Sequence, residues 1–135
     1  MPRLLVYICA PLCAVTLAAC ASTVSTSAFK GPQQAVAQTV ANLQTDATAG
    51  EQKKICANDL AAATVARLGG TKGCEAAIKS QLTEVDSLEV SVQSVKLAAN
   101  AASATAQVRS IRQGKSAPST MSLVKEGGKW KISGL

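Results

Sequence analysis

Two hydrophobic periods divide the chain. From residue 32 onward the first is helical. Val36, Val40, Leu43 and Ala47 recur at spacings of 4, 3 and 4 within 32–49, one face of a helix that Pro32 opens and Gly50 closes. In 51–68 the apolar set is Ile55, Cys56, Leu60, Ala61, Val65 and Leu68, a second helix that Asn58-Asp59 can cap or kink. Gly69 to Gly73 reads as a turn, and 74–85 as a third helix with Ala77, Ile78, Leu82 and Val85 facing in. At Asp86 the period drops to two. Leu88, Val90 and Val92 alternate with Glu89, Ser91 and Gln93. Val95 and Leu97 resume on the opposite parity, which predicts a bulge near Gln93-Ser94. In 101–111, Ala102, Ala104, Ala106 and Val108 share one face. A polar loop is expected over 112–119, then a strand over 120–125, a tight turn at Gly127-Gly128, and a last strand over 129–133. Helices before strands predict an α+β fold: about three N-terminal helices and a four-stranded antiparallel meander.

Ahead of these elements the pattern has no period. Met1 to Arg3 is a short basic start, and Leu4 to Ala19 is uncharged and almost wholly apolar. That run is shorter than the roughly 20 residues a membrane-spanning helix needs, and Pro11 interrupts it. Its shape is that of a secretory signal peptide. The ending Leu17-Ala18-Ala19-Cys20 resembles a bacterial lipobox, in which small residues precede an obligatory cysteine that takes the lipid. Cys9 and Cys13 lack a small residue just before the thiol. The resemblance implies a signal peptide over 1–19, lipidation of Cys20 (a palmitate-bearing lipoprotein), and a place on the extracytoplasmic face of the bacterial cell membrane. The plainer alternatives are a cleaved signal with a chance cysteine, or an uncleaved anchor. Residues 20–31 read as the lipidated cysteine and a flexible Ser/Thr tether with a reach of about 40 Å. Residues 32–135 read as a single domain.

The five cysteines then sort themselves. Cys9 and Cys13 leave with the signal, Cys20 carries lipid, and Cys56 and Cys74 remain for a disulfide, which persists outside the cytoplasm. The alternative is two buried free thiols. Two thiolates with no histidine are too few ligands for a metal site. No cofactor motif is present.

Composition narrows the chemistry. The chain holds 25 alanines, three aromatics (Tyr7, Phe29, Trp130) and no histidine. That excludes histidine-based catalysis and base stacking on aromatic platforms, so no nucleic-acid partner is expected. Asp46, Asp59 and Asp86 fall at helix ends or boundaries, where capping or solvent exposure is the expectation. Glu51, Glu75, Glu84, Glu89 and Glu126 fall on polar faces. No acid–base constellation emerges, and the expectation is not an enzyme.

The helical front, the segment ICANDLAAATVARLGG with a second Cys just after it, and the ending SLVKEGGKWKISGL resemble small actinobacterial-type lipoproteins. Those proteins carry a domain of the nuclear transport factor two-like superfamily. The resemblance spans about residues 35–135. It implies a curved, cystatin-like sheet wrapping the first helix as a cone. The cone could be a pocket for a hydrophobic ligand, lined by Val36, Val40, Leu43, Ala104, Ala106, Val108, Met121, Leu123 and Trp130, or a filled core. It also implies a possible homodimer through the sheet. Some members are isomerases or cyclases, with Asp, Tyr or His in the pocket; here the chain from Cys20 on has neither Tyr nor His.

From Cys20 on, 13 Lys and Arg stand against 8 Asp and Glu. The surplus gathers late, at Lys96, Arg109, Arg112, Lys115, Lys125, Lys129 and Lys131, with Glu126 opposing. It is either a solvated edge or a basic surface for anionic headgroups or an acidic envelope polymer. The expected function is a membrane-anchored, non-catalytic domain that binds a ligand or an envelope protein. The alternatives are an isomerase- or cyclase-like enzyme on the same fold and a purely structural envelope component.

Overall fold

A computed structural model describes residues 24–84 and 88–135. The fold is α+β, with helices first and one open antiparallel sheet after them. Helix α1 spans Pro32–Thr48. A short α2, Gln52–Lys54, runs into a π turn over Ile55–Asp59; α3 is Ala62–Arg67 and α4 is Gly70–Thr83. The strands are β1 Leu88–Leu97, β2 Ser103–Arg112, β3 Lys115–Glu126 and β4 Lys129–Gly134, in the order β1-β2-β3-β4. The signal peptide and lipobox positions, with Asp86 and the expected end of the third helix at Val85, lie outside the described residues.

α1 forms where its spacing predicts. Val36, Ala37 and Val40 are buried on the sheet side. Two glutamines on α1 address the edge strand β1: the Gln33 side-chain amide donates to the Val95 carbonyl at 3.1 Å, and the buried Gln44 carbonyl accepts from the Val90 N–H at 2.9 Å. α1 thus satisfies backbone groups that an edge strand otherwise offers to other chains.

The single helix expected over 51–68 is broken. At Leu60 the chain turns extended (φ −89°, ψ 145°) and makes a parallel bridge to Ile132, with the Ala61 N–H on the Ile132 carbonyl at 2.8 Å. The π turn, closed by Leu60 N–H on the Ile55 carbonyl at 3.0 Å, widens the helix at the point of exit. The extended step buries Leu60 and Ala61 and covers the free edge of β4. α3 then starts afresh, with no side-chain cap of its own. The Glu126 carboxylate, reaching from β3, accepts the Ala62 N–H at 3.2 Å and places negative charge at that helix N-terminus.

α4 begins at Gly70, not at Cys74. The segment expected as a turn is mostly helix, and its Gly73 lies against the chain just before it: a Cβ there would sit 2.0 Å from the Leu68 carbonyl oxygen. Four helices and a π turn therefore replace the three helices expected.

In the sheet, the predicted bulge is present as a register shift between Val92 and Ser94. β2 alternates as expected, with Ala104, Ala106 and Val108 buried, but Ala102 precedes the strand and is exposed. The polar loop expected over 112–119 is strand on both sides of a two-residue turn, Gln113-Gly114, both at positive φ (49° and 75°). Pro118 is accommodated because β4 pairs only with Ser122–Glu126, which leaves that stretch of β3 on an open edge.

Residues 24–31 also depart from expectation. Val24 is buried in the core and Phe29 packs partly against it, so the tether reading does not hold from Val24 on. Two apolar side chains within a Ser/Thr stretch are enough to bind it to the domain.

Candidate functional site

The nine side chains proposed to line a cone come together, but as packed core. Val36, Val40, Ala104, Ala106, Val108, Met121, Leu123 and Trp130 all belong to one buried cluster, and Leu43 packs against it. Ala104 and Ala106 are small, and that lets the valines of α1 share the interior with them. Trp130 is buried inside β4 and carries the Lys125 ammonium 5.8 Å from its ring centroid, a cation–π contact.

Cys56 and Cys74 are disulfide-bonded, with Cα atoms 6.1 Å apart. Cys56 sits in the π turn and Cys74 on α4, so the bond ties the two together. Both sulfur-bearing residues are buried.

The most unusual chemistry is at Asp59, the last residue of the π turn. Its residue is only 4% exposed, and its Oδ2 has neither a hydrogen-bond partner nor solvent contact. Burial pushes its carboxyl up from 3.8 to about 7; the neighbouring Asp46 charge and a hydrogen bond with Asp46 add to the effect, and Lys131 opposes it. Asp46 approaches from the last turns of α1. Near neutral pH the Asp59 carboxyl is therefore partly protonated. Lys131 is committed elsewhere: its ammonium donates to the carbonyls of Ala57 and Asn58, neutralising the C-terminal end of the π turn. A recess of about 410 Å³ opens at this cluster: Asp59 and Asn58 line it, with Gln38, Thr39 and Asn42 of α1 and the β3–β4 hairpin.

Asp59 was expected at a helix boundary as a cap or in solvent. It is at a boundary, but buried. The available signal was spacing: Asp59 follows Ile55 by four and Cys56 by three, which puts it on the apolar stripe of its own helical turn. Among the other acids, Glu126 serves as the α3 cap and Glu51 pairs with Lys54 at 3.4 Å. Among the described residues no group of His, Cys, Asp and Glu is arranged to hold a metal ion.

Comparison of the chain with protein families, curated proteins and solved structures finds no match.

Proposed function

We propose that this chain is a cell-envelope lipoprotein, anchored through lipid on Cys20, whose α+β domain is a non-catalytic binding module for an envelope partner. The observation that carries the reading is the Cys56–Cys74 disulfide. Such bonds persist in oxidising compartments and are rare in the cytosol, and the apolar leader ending in Leu17-Ala18-Ala19-Cys20 supplies a route there. The burial of the cone residues in one cluster supports a surface partner over an interior ligand. Among the described residues no helix is long and apolar enough to cross a membrane, and lipid on Cys20 would supply the attachment.

The Asp46–Asp59 pair is the one feature that favours an isomerase- or cyclase-like enzyme instead. Asp59 lines the recess, but its Oδ2 has no partner and no solvent contact, which weighs against that reading. A general acid must reach its substrate.

The test is fractionation with acyl-chain labelling of the wild type and Cys20→Ser, and thiol counting on unreduced protein. The wild type should be membrane-bound and labelled, and Cys20→Ser released and unlabelled. Neither Cys56 nor Cys74 should react as a thiol. A Cys20→Ser chain that stays anchored and labelled, or two free thiols at 56 and 74, overturns the reading.

A further inference from the structure

The helices lie on one face of the sheet, and no described element covers the other. Register fixes what stands there. Ser94, Gln107 and Thr120 form one row, Lys96, Thr105 and Ser122 the next, and Arg109 lies one row beyond the first. All are exposed. A polar outer face is what any half-covered antiparallel sheet shows, so composition alone decides little.

Charge decides more. Among the described residues Lys96 has no ion-pair partner, and Arg109 donates to the Ser116 hydroxyl at 3.1 Å. The acids of this face are already engaged: Glu126 holds the Ala62 N–H, and Glu89 has a partner. Neither cation forms an ion pair among the described residues. They stand on neighbouring strands, two same-face steps apart, about 14 Å by strand geometry. One small anion reaches one of them, whereas a chain with repeated negative charges reaches both. Between them run hydroxyl and amide side chains, among them Thr120 donating to the Gln107 carbonyl at 3.1 Å. At the Lys96 end of the face a shallow recess of about 360 Å³ is lined by Lys96, Thr105 and Ser122 together with the apolar Leu97, Leu123 and Val124. Between the two cations large apolar side chains are sparse, and Ile111, 36% exposed, stands at the far end. The face lacks the apolar centre of a stable protein–protein interface and the apolar side chains that enter a bilayer.

We propose that this uncovered face docks an acidic polysaccharide, with Lys96 and Arg109 meeting its carboxylates and Thr105, Gln107, Thr120 and Ser122 exchanging hydrogen bonds with its sugar hydroxyls. The proposal deepens the binding-module reading and rests on the domain standing in the envelope.

The experiment uses the full chain carrying Cys20→Ser, so that no acyl chain contributes. It measures retention at low salt on immobilised polygalacturonate, on neutral dextran, and on phosphatidylglycerol vesicles. Retention on polygalacturonate, passage over dextran and weaker binding to vesicles are expected. Lys96→Ala with Arg109→Ala should weaken retention about tenfold. Lys53→Ala with Lys54→Ala, the same loss of charge on the exposed α2, should leave it unchanged. No retention, an equal loss from the α2 pair, or tighter binding to vesicles each overturns the proposal. The column reads the face without the anchor, and fractionation reads the anchor without the face, so the two readings fail separately.

Discussion

At the scale of single residues, Asp59 makes a prediction whose sign is unusual for a carboxylate. Its folded value of about 7 lies above its ordinary 3.8, so the folded state binds the proton more tightly than the unfolded chain. The stability this group contributes is fully present below about pH 4. It is lost as pH rises through the folded value near 7, and stays level above it. At about 1.4 kcal/mol per unit the loss is on the order of 4 kcal/mol. Asp59→Asn cannot ionise and still offers an N–H to Asp46. It should flatten the pH 5–8 decline and be more stable than the wild type at pH 8. Urea midpoints at pH 5 and pH 8, read on the fluorescence of the single tryptophan, Trp130, check this; a wild type more stable at pH 8 than at pH 5 would contradict it. Gly73 makes a second prediction. With a Cβ position 2.0 Å from the Leu68 carbonyl oxygen, backbone must move to admit a methyl. Gly73→Ala should destabilise by about 1–3 kcal/mol despite its better helix propensity, as overpacking does. Gly127→Ala is the contrasting control for space: nothing lies within 4 Å there, and its cost comes from φ +56° alone.

At the scale of elements, what was legible in the sequence depended on periodicity, and what was hidden depended on partners distant in the chain. α1 and the alternation of β1 and β2 could be read because each buries a regular stripe, and the parity change at Gln93-Ser94 revealed the bulge. The break at Leu60 could not be read in this way. Ile55, Cys56, Leu60 and Ala61 fit a helical stripe, yet they are buried by a π turn followed by an extended step, because Ile132 offers a strand edge that only the folded chain brings near. The hairpin at 113–114 was missed because Gln occupies a left-handed position usually held by Asn, Asp or Gly. The raised carboxyl of Asp59 depends on burial and on Asp46, which α1 supplies from a remote part of the sequence. The contact between α1 and β1 is likewise non-local and yields its own prediction. Gln44→Leu keeps the volume but removes the acceptor for the Val90 N–H. That should cost about 1–3 kcal/mol, the penalty for an unsatisfied buried donor. Amide exchange should show Val90 losing protection ahead of its β1 neighbours, whereas an unchanged Val90 would show that the bond adds nothing.

At the scale of the whole molecule, the disulfide joins parts that are otherwise weakly joined. α4 buries one residue, Cys74, and packs mainly on α3 and the helical turns around Cys56. Ile78 and Leu82 are only half-buried. The core beneath is lean: its largest wholly buried side chains are Ile55, Leu123, Ile132 and three valines, and among the described residues Trp130 is the one buried aromatic. In a domain of this kind a covalent tie carries a large share of the margin. A bond across a sequence separation of 18 contributes about 3 kcal/mol by restricting the unfolded chain. Reduction should therefore act in two stages. Residues 70–83 should lose amide protection first, since little else holds α4, while β2 and β3, paired along their whole length, keep theirs. The global unfolding midpoint should then fall by an amount near that figure. Cys56→Ala with Cys74→Ala should reproduce both effects without reductant. Exchange measured by mass spectrometry with and without reductant separates the outcomes: protection lost evenly over helices and sheet would mean that α4 is integral to one cooperative unit. An early loss confined to α4 would mean that the disulfide itself completes the fold.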